Sequence, residues 1–353
     1  MKILMFRDIS VYDIENDLIL DAPYAPFLDL NNSKAGFETW NKSRAYLKAN
    51  RTAERNVQKA GGENTVEAKR RLSLSDCYWI KYNNDADVSF YNITPYRNDF
   101  SVLTMSSGHG NSSSVPDLVL GGSQPKQWER DGDAIYMSKA EQSEQIHAEM
   151  CAVKLGLHCH IPIMDAFVKT SLGNLYAKDY PLDFDYSRLG LIHVVNMTNE
   201  KESLVQFDHF GVGVDGFDFF SIRDTYIRLG VDQSPGLTNE CLRQILFDAV
   251  VGNTDRQHNN SNWAVMIGVP GAYRRVSPLY DFNWANLTSV NTEMMDEVVF
   301  KLLRGLDKAV LSSAKIVLNM LKDGCEELGF TLWKNNAAFM LDKISDSGLG
   351  FGI

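Results

Sequence analysis

Short apolar runs dominate the first half of this chain, and helical periods dominate the second. Ile3 to Phe6 is a compact apolar run and predicts a first strand. Residues 7 to 35 hold Pro23, Pro26 and an Asn31-Asn32 turn, which predicts loop and short elements. From Gly36 to Asn56 the apolar residues Phe37, Trp40, Ala45, Leu47 and Ala53 fit a helix, which Gly61-Gly62 then breaks. A second helix is expected from about Thr65 to Leu72. Ser73-Leu74-Ser75-Asp76 reads as a turn or cap ahead of the aromatic pair Tyr78-Trp79.

Residues 106 to 118, SSGHGNSSSVPDL, are polar and of low complexity, with little to pack. Beyond them, strands are predicted at Leu118 to Leu120 and Ala134 to Met137. A helix follows from Ser143 to Leu157, where Ile146, Met150, Val153 and Leu157 share a face. Ala166 to Lys169 and Leu175 to Lys178 flank the turn Thr170 to Asn174 and predict a hairpin. After Tyr186 the pattern becomes mostly helical, with helices expected at Thr238 to Val251, Lys308 to Leu321 and Asn335 to Ser345. A strand is expected at Ala264 to Ile267, then a short hairpin around Gly268 to Ala272. The whole predicts an α+β, two-lobed plan, a small strand-rich lobe before a larger helical one. Residues 1–95 form an accessory N-terminal region, 96–182 the small lobe and 183–353 the helical lobe. Such plans place a ligand cleft at the domain interface.

At 353 residues, with 44% hydrophobic and 23% charged residues, the composition is that of a globular chain. A formal net charge of -10 argues against direct nucleic-acid binding, which needs clustered Lys and Arg. No segment approaches the roughly 20 apolar residues of a membrane helix. The first residues lack a signal-peptide pattern. The five cysteines form no CxxC pair and are expected as reduced, mostly buried thiols of a cytoplasmic protein.

Candidate chemistry begins at Leu120-Gly121-Gly122-Ser123-Gln124-Pro125-Lys126. Paired glycines let backbone amides approach a phosphate, and Ser123 adds a hydroxyl. A hairpin with a Gly-Gly turn is the plainer alternative for this segment taken alone. Lys139 ends the next strand, where it can reach phosphate oxygens. Glu149 on the following helix is placed to hold that lysine by an ion pair, with Glu144 as competitor.

The segment Gly252-Asn253-Thr254-Asp255-Arg256-Gln257-His258-Asn259-Asn260-Ser261-Asn262-Trp263 carries most of the weight. Phosphoryl transfer needs an Asp to orient the attacking hydroxyl and an Asn shortly after to hold magnesium. Asn260 lies at the usual kinase spacing from Asp255, whereas Asn262 adjoins an aromatic residue. Asp281, in Ser277-Pro278-Leu279-Tyr280-Asp281-Phe282, is the natural second metal carboxylate. Trp263, Tyr280 and Phe282 bracket these loop residues.

These segments together resemble the HipA-like serine/threonine kinases, typified by bacterial persistence toxins. Residues 121 to 126 look like that family's phosphate loop, 252 to 256 like its catalytic segment, and 278 to 281 like its metal-binding segment. The resemblance spans about residues 115 to 285. It implies ATP and Mg2+ as cofactors and Asp255 as catalytic base. Asp281 and a downstream Asn, either Asn260 or Asn262, are implied as magnesium ligands, and Lys139 as the phosphate lysine. It also implies an adenine hinge near Lys178, Asp179 and Tyr180, a protein substrate and an antitoxin-like inhibitory partner. A serine near the phosphate loop, among Ser112-Ser113-Ser114, is implied as an autophosphorylation site. Two departures stand out. Gln257 displaces His258 by one position, which fits a two-residue insertion and favours Asn262. Residues 1–95 do not look like the small domain that precedes the toxin's kinase core. The competing readings are a lipid or small-molecule kinase of the same logic, a pseudokinase-like interaction module, and a metal hydrolase using Asp255, His258 and Asp281.

Overall fold

The computed structural model describes residues 1–27, 30–43, 69–73, 76–94, 126–131, 134–185, 187, 189–195, 202–233, 235–258, 260–305 and 307–347. In chain order the elements begin β1 (Lys2–Phe6), β2 (Ile9–Asp13), β3 (Leu18–Ile19), α1 (Ser33–Ser43), β4 (Tyr78–Tyr82) and α2 (Phe90–Ile93). Next come β5 (Lys126–Asp131), β6 (Ala134–Lys139), α3 (Ser143–His158), β7 (Ala166–Thr170), β8 (Gly173–Tyr176), β9 (Ile192–Val195) and β10 (Glu202–Gln206). The rest are α4 (Phe219–Arg228), α5 (Pro235–Val251), α6 (Asp255–His258), β11 (Ala264–Gly268), β12 (Arg274–Val276), α7 (Thr292–Arg304), α8 (Lys308–Leu328) and α9 (Thr331–Asp346). The fold class is α+β, with one strand-rich and one helical unit.

The first unit comprises Met1–Glu141, Leu191–Val212 and Ala264–Arg275. Its N-terminal sheet runs β3-β2-β1-β4, with β1 antiparallel to both β2 and β4. Burial of Ile3 to Phe6 and of Tyr78 to Ile80 makes this a core sheet. Phe6 stacks on Tyr24 at 4.9 Å and meets Tyr78 edge-on at 4.8 Å, an arrangement aromatic rings favour. Phe37 and Trp40 of α1 extend the cluster toward Tyr12 and Tyr78. A second sheet, β10-β11-β12, is stitched to this region. The Tyr24 hydroxyl accepts from the amides of Gly271 and Ala272, the Arg274 guanidinium donates to the Pro23 carbonyl, and the Cys77 amide donates to Ser203 Oγ. A third ladder pairs β5 with β6 and β6 with β9, placing Lys139 opposite Lys126 and Ile192.

The second unit comprises Gln142–Gly190, Gly213–Trp263 and Val276–Ile353. Helix α5 is its centre, with Leu242, Ile245, Leu246, Phe247, Ala249 and Val250 nearly inaccessible. Side-chain caps start three of the other helices. Asp218 accepts from the first-turn amides of α4, Asn291 from α7, and Asp307 from α8. Gly329 ends α8 in the left-handed region. The hairpin β7–β8 belongs to this unit.

Several expectations need correction. Residues 7–35, expected as loop and short elements, hold β2, β3 and the first residues of α1, and the expectation did not place the strands, which lack a clean alternation and declare themselves only by pairing, β2 with β1 and β3 with β2. After Tyr186 the described chain is mostly helical and carries the expected strand and hairpin as β11 and β12, but β9 and β10 were not expected, because a four-residue strand such as Ile192-His193-Val194-Val195 has no readable period. Helices α4 and α7 were not expected, and α8 runs to Leu328 rather than Leu321. The predicted strand Leu118 to Leu120 and the helical stretch 44–68 lie outside the described residues. All five cysteines are buried free thiols. Among the described residues, no helix is long and apolar enough to cross a membrane.

Candidate functional site

The helix α5 delivers the site. It ends at Gly252, whose φ of 71° turns the chain out of the helix. The Asn253 amide then donates back to the Asp248 carbonyl at 2.9 Å, the longer bond of a Schellman closure. This turn places Asn253 and Asp255 against the last turn of α5.

Asp255 opens the short helix α6, half-buried, and its Oδ2 accepts from Asn262 Nδ2 at 2.7 Å. The two candidate asparagines are therefore not equivalent. Asn262 is buried and turned onto Asp255. Asn260 instead presents Oδ1 to the Val214 amide at 3.2 Å, so its carboxamide is engaged with the 213–214 segment.

Arg256 lies under this loop and is only 2% exposed. Its Nε donates to Asp248 Oδ2 at 2.7 Å, Nη1 to the Asn262 carbonyl at 2.5 Å, and Nη2 to the Tyr280 carbonyl at 2.6 Å. Trp263, Tyr280 and Phe282 surround the guanidinium at 5.3–5.7 Å from its carbon. The Trp263 indole donates to the Arg256 carbonyl, closing the loop on itself. Burial pushes the Asp248 carboxyl upward, while Arg256 and the Asn253 amide pull it back toward the ionised form. A buried ion pair survives when its remaining donors and acceptors are used, as they are here.

Asp281 follows Tyr280 with a φ of 65°, a conformation that costs most residues energy and that Asp tolerates better than most. The segment leading into it is held by Leu279, which bonds to Pro162 and Met164 in a parallel bridge at Ile163. That bridge sits just past α3, which carries Glu149. Carboxylate oxygens of Glu149 and Asp281 lie within 4.8 Å of each other. Carboxylate oxygens of this kind suit magnesium, and the carboxamide oxygen of Asn262 is of the same donor type.

The remaining sequence candidates are placed as follows. Lys139 ends β6 in the first unit and is buried. Glu149 is buried on α3 in the second. Gly121, Gly122, Ser123 and Gln124 lie outside the described residues, as do Ser112 to Ser114, and Lys126 begins β5. Lys178 and Asp179 are exposed on a single 3-10 turn. Tyr180 is fully buried, its hydroxyl 3.0 Å from His147 Nδ1 and its carbonyl accepting from Lys154.

Sequence reasoning passed over Asp248, Asn253 and Arg256. The signal for Arg256 was present, since the aromatic residues read as bracketing the loop carboxylates are those that surround its guanidinium. Asp248 carried no separate signal, because an Asp in an apolar helical run reads as a stray surface position.

No protein-family model matches the chain, and no curated protein matches it. Among solved structures, it is similar to a Helicobacter pylori proinflammatory kinase CtkA, at 14% identity and a TM-score of 0.38, over 63% of this chain and 90% of that one.

Proposed function

We propose that this protein is an ATP- and magnesium-dependent kinase that phosphorylates serine or threonine in a protein substrate. The observation that carries the reading is the Asp255–Asn262 hydrogen bond, 2.7 Å long, on a loop tied through Arg256 to the segment of Asp281. A carboxylate, a carboxamide and a second carboxylate, drawn from two separate segments, are the residue types that kinases use to orient the hydroxyl and hold magnesium. The sequence resemblance to HipA-like kinases supports the same choice and supplies the substrate class.

In this reading Asp255 accepts the hydrogen bond of the acceptor hydroxyl and orients it. Asn262 and Asp281 would hold the metal, and the resemblance gives Lys139 the role of phosphate lysine. A magnesium ion held there would supply positive charge against the negative charge that develops on the phosphate during transfer. Phosphoryl transfer asks the protein mainly for position and charge compensation, which a loop locked by buried hydrogen bonds supplies.

The test is transfer of labelled phosphate from ATP by purified protein, alone and with a lysate of its host. Labelled protein that yields phosphoserine or phosphothreonine supports the proposal. Label in lipid or in small molecules would move the reading to the alternative kinase class. Absence of both transfer and Mg-ATP binding by folded protein would leave an interaction module.

A further inference from the structure

We infer that Arg256 is a positioning residue that sets the spacing between the catalytic segment and the Asp281 segment. This rests on the kinase reading for its catalytic consequence, but its structural content does not. The guanidinium is planar and rigid, so the carbonyls it holds are separated by a distance that it dictates. Nη1 holds the backbone of Asn262, the residue bonded to Asp255. Nη2 holds the backbone of Tyr280, the residue before Asp281. Nε is fixed in turn by Asp248 on α5, the most deeply buried helix of the unit. One side chain thus references both functional segments to one helix. Trp263, Tyr280 and Phe282 pack around it and keep it from water. The positive φ of Asp281 directly follows the carbonyl that Nη2 clamps, so this bond helps hold an otherwise unfavourable turn.

Lysine at this position would keep the charge beside Asp248 but lose the fork. Its single nitrogen cannot span both carbonyls. The test is therefore Arg256→Lys, read two ways. Hydrogen exchange of the folded variant is expected to quicken together at residues 260–263 and 279–283, while the middle of α5 stays protected. Steady-state kinetics are expected to show a kcat lowered by about 10- to 100-fold with the KM for ATP changed less than about threefold, as for a small misplacement of reacting groups. The magnesium concentration for half-maximal rate should rise severalfold. If Arg256→Lys does not fold, Asp248→Asn, which loosens Nε but leaves the fork in place, is read the same way with smaller changes. Unchanged exchange in both segments, or loosening of only one, overturns the inference. Coupled loosening with normal kcat and normal magnesium dependence overturns its catalytic part. Coupled loosening in a protein whose wild type transfers no phosphate upholds the spacing role and instead removes the kinase reading.

Discussion

Asn262 and Asn260 separate the functional proposal from a plain loop. Asn262→Ala removes the partner of Asp255 and should lower phosphoryl transfer strongly. Asn260→Ala should be mild, because that side chain serves the Val214 amide. Asp255→Asn and Asp281→Ala should each lower transfer by roughly two orders of magnitude or more, with thermal melts close to wild type. Labelled-phosphate assays beside calorimetric melts check all four, and near-normal transfer by Asp255→Asn would remove that residue from the mechanism. Gly252 makes a separate prediction at the residue scale. Alanine there must adopt a left-handed φ and bring its Cβ to 3.2 Å from that of Asn286, so Gly252→Ala should cost about 1–2 kcal/mol in urea titration. His147 adds a pH dependence. Burial lowers its pKa below the ordinary 6.5, so the unfolded chain takes up the proton first. Its contribution to stability is complete at neutral pH and is lost as pH falls from about 6.5 toward the lower folded value. His147→Gln should therefore lose less melting temperature than wild type between about pH 7.5 and about pH 5.5, and equal losses would count against a buried neutral imidazole.

At the level of elements, α5 is held at its C-terminus by groups far along the chain. Asn336 of α9 donates to the Val250 carbonyl at 2.8 Å, and the Asn286 amide donates to the Val251 carbonyl at 2.8 Å. The Trp333 indole in turn secures the Asn286 carbonyl. Helix ends leave carbonyls without intrahelical partners, and these bonds satisfy them where water has no access. Asn336→Leu should strand the Val250 carbonyl and cost about 1–3 kcal/mol in denaturant unfolding. Because the same helix end starts the Gly252 turn, faster exchange at Asn253 should accompany the loss. An unchanged midpoint would show that this carbonyl finds another donor.

Across the whole molecule, the N-terminal region is built into the first unit rather than appended to it. Tyr24 serves the Gly271 and Ala272 amides, and Arg274 reaches back to the Pro23 and Ala25 carbonyls. Tyr24→Phe should cost about 1–3 kcal/mol by leaving the buried Ala272 amide without an acceptor. Hydrogen exchange should locate the effect at residues 271 and 272, and a uniform change across the chain would point instead to lost packing.

Local pattern determined a good part of this protein. The strands at Ile3 to Phe6 and Ala264 to Ile267, the hairpin on Thr170 to Asn174, and the helices of Ser143 and Thr238 were legible because each satisfies its own period, cap or turn chemistry. The composition of the Asp255 loop and of Asp281 was also legible, since a run of carboxylates and amides between buried elements is conspicuous in one dimension. What tertiary structure alone decided was pairing. Short strands β2, β3, β9 and β10 exist only through their partners in the sheets, and nothing local to them specifies those partners. The choice between Asn260 and Asn262 as neighbour of Asp255 was settled by which carboxamide another backbone claims. The role of Arg256 joins Asp248, Asn262 and Tyr280, residues 8, 6 and 24 positions away, and so it required their packing in space.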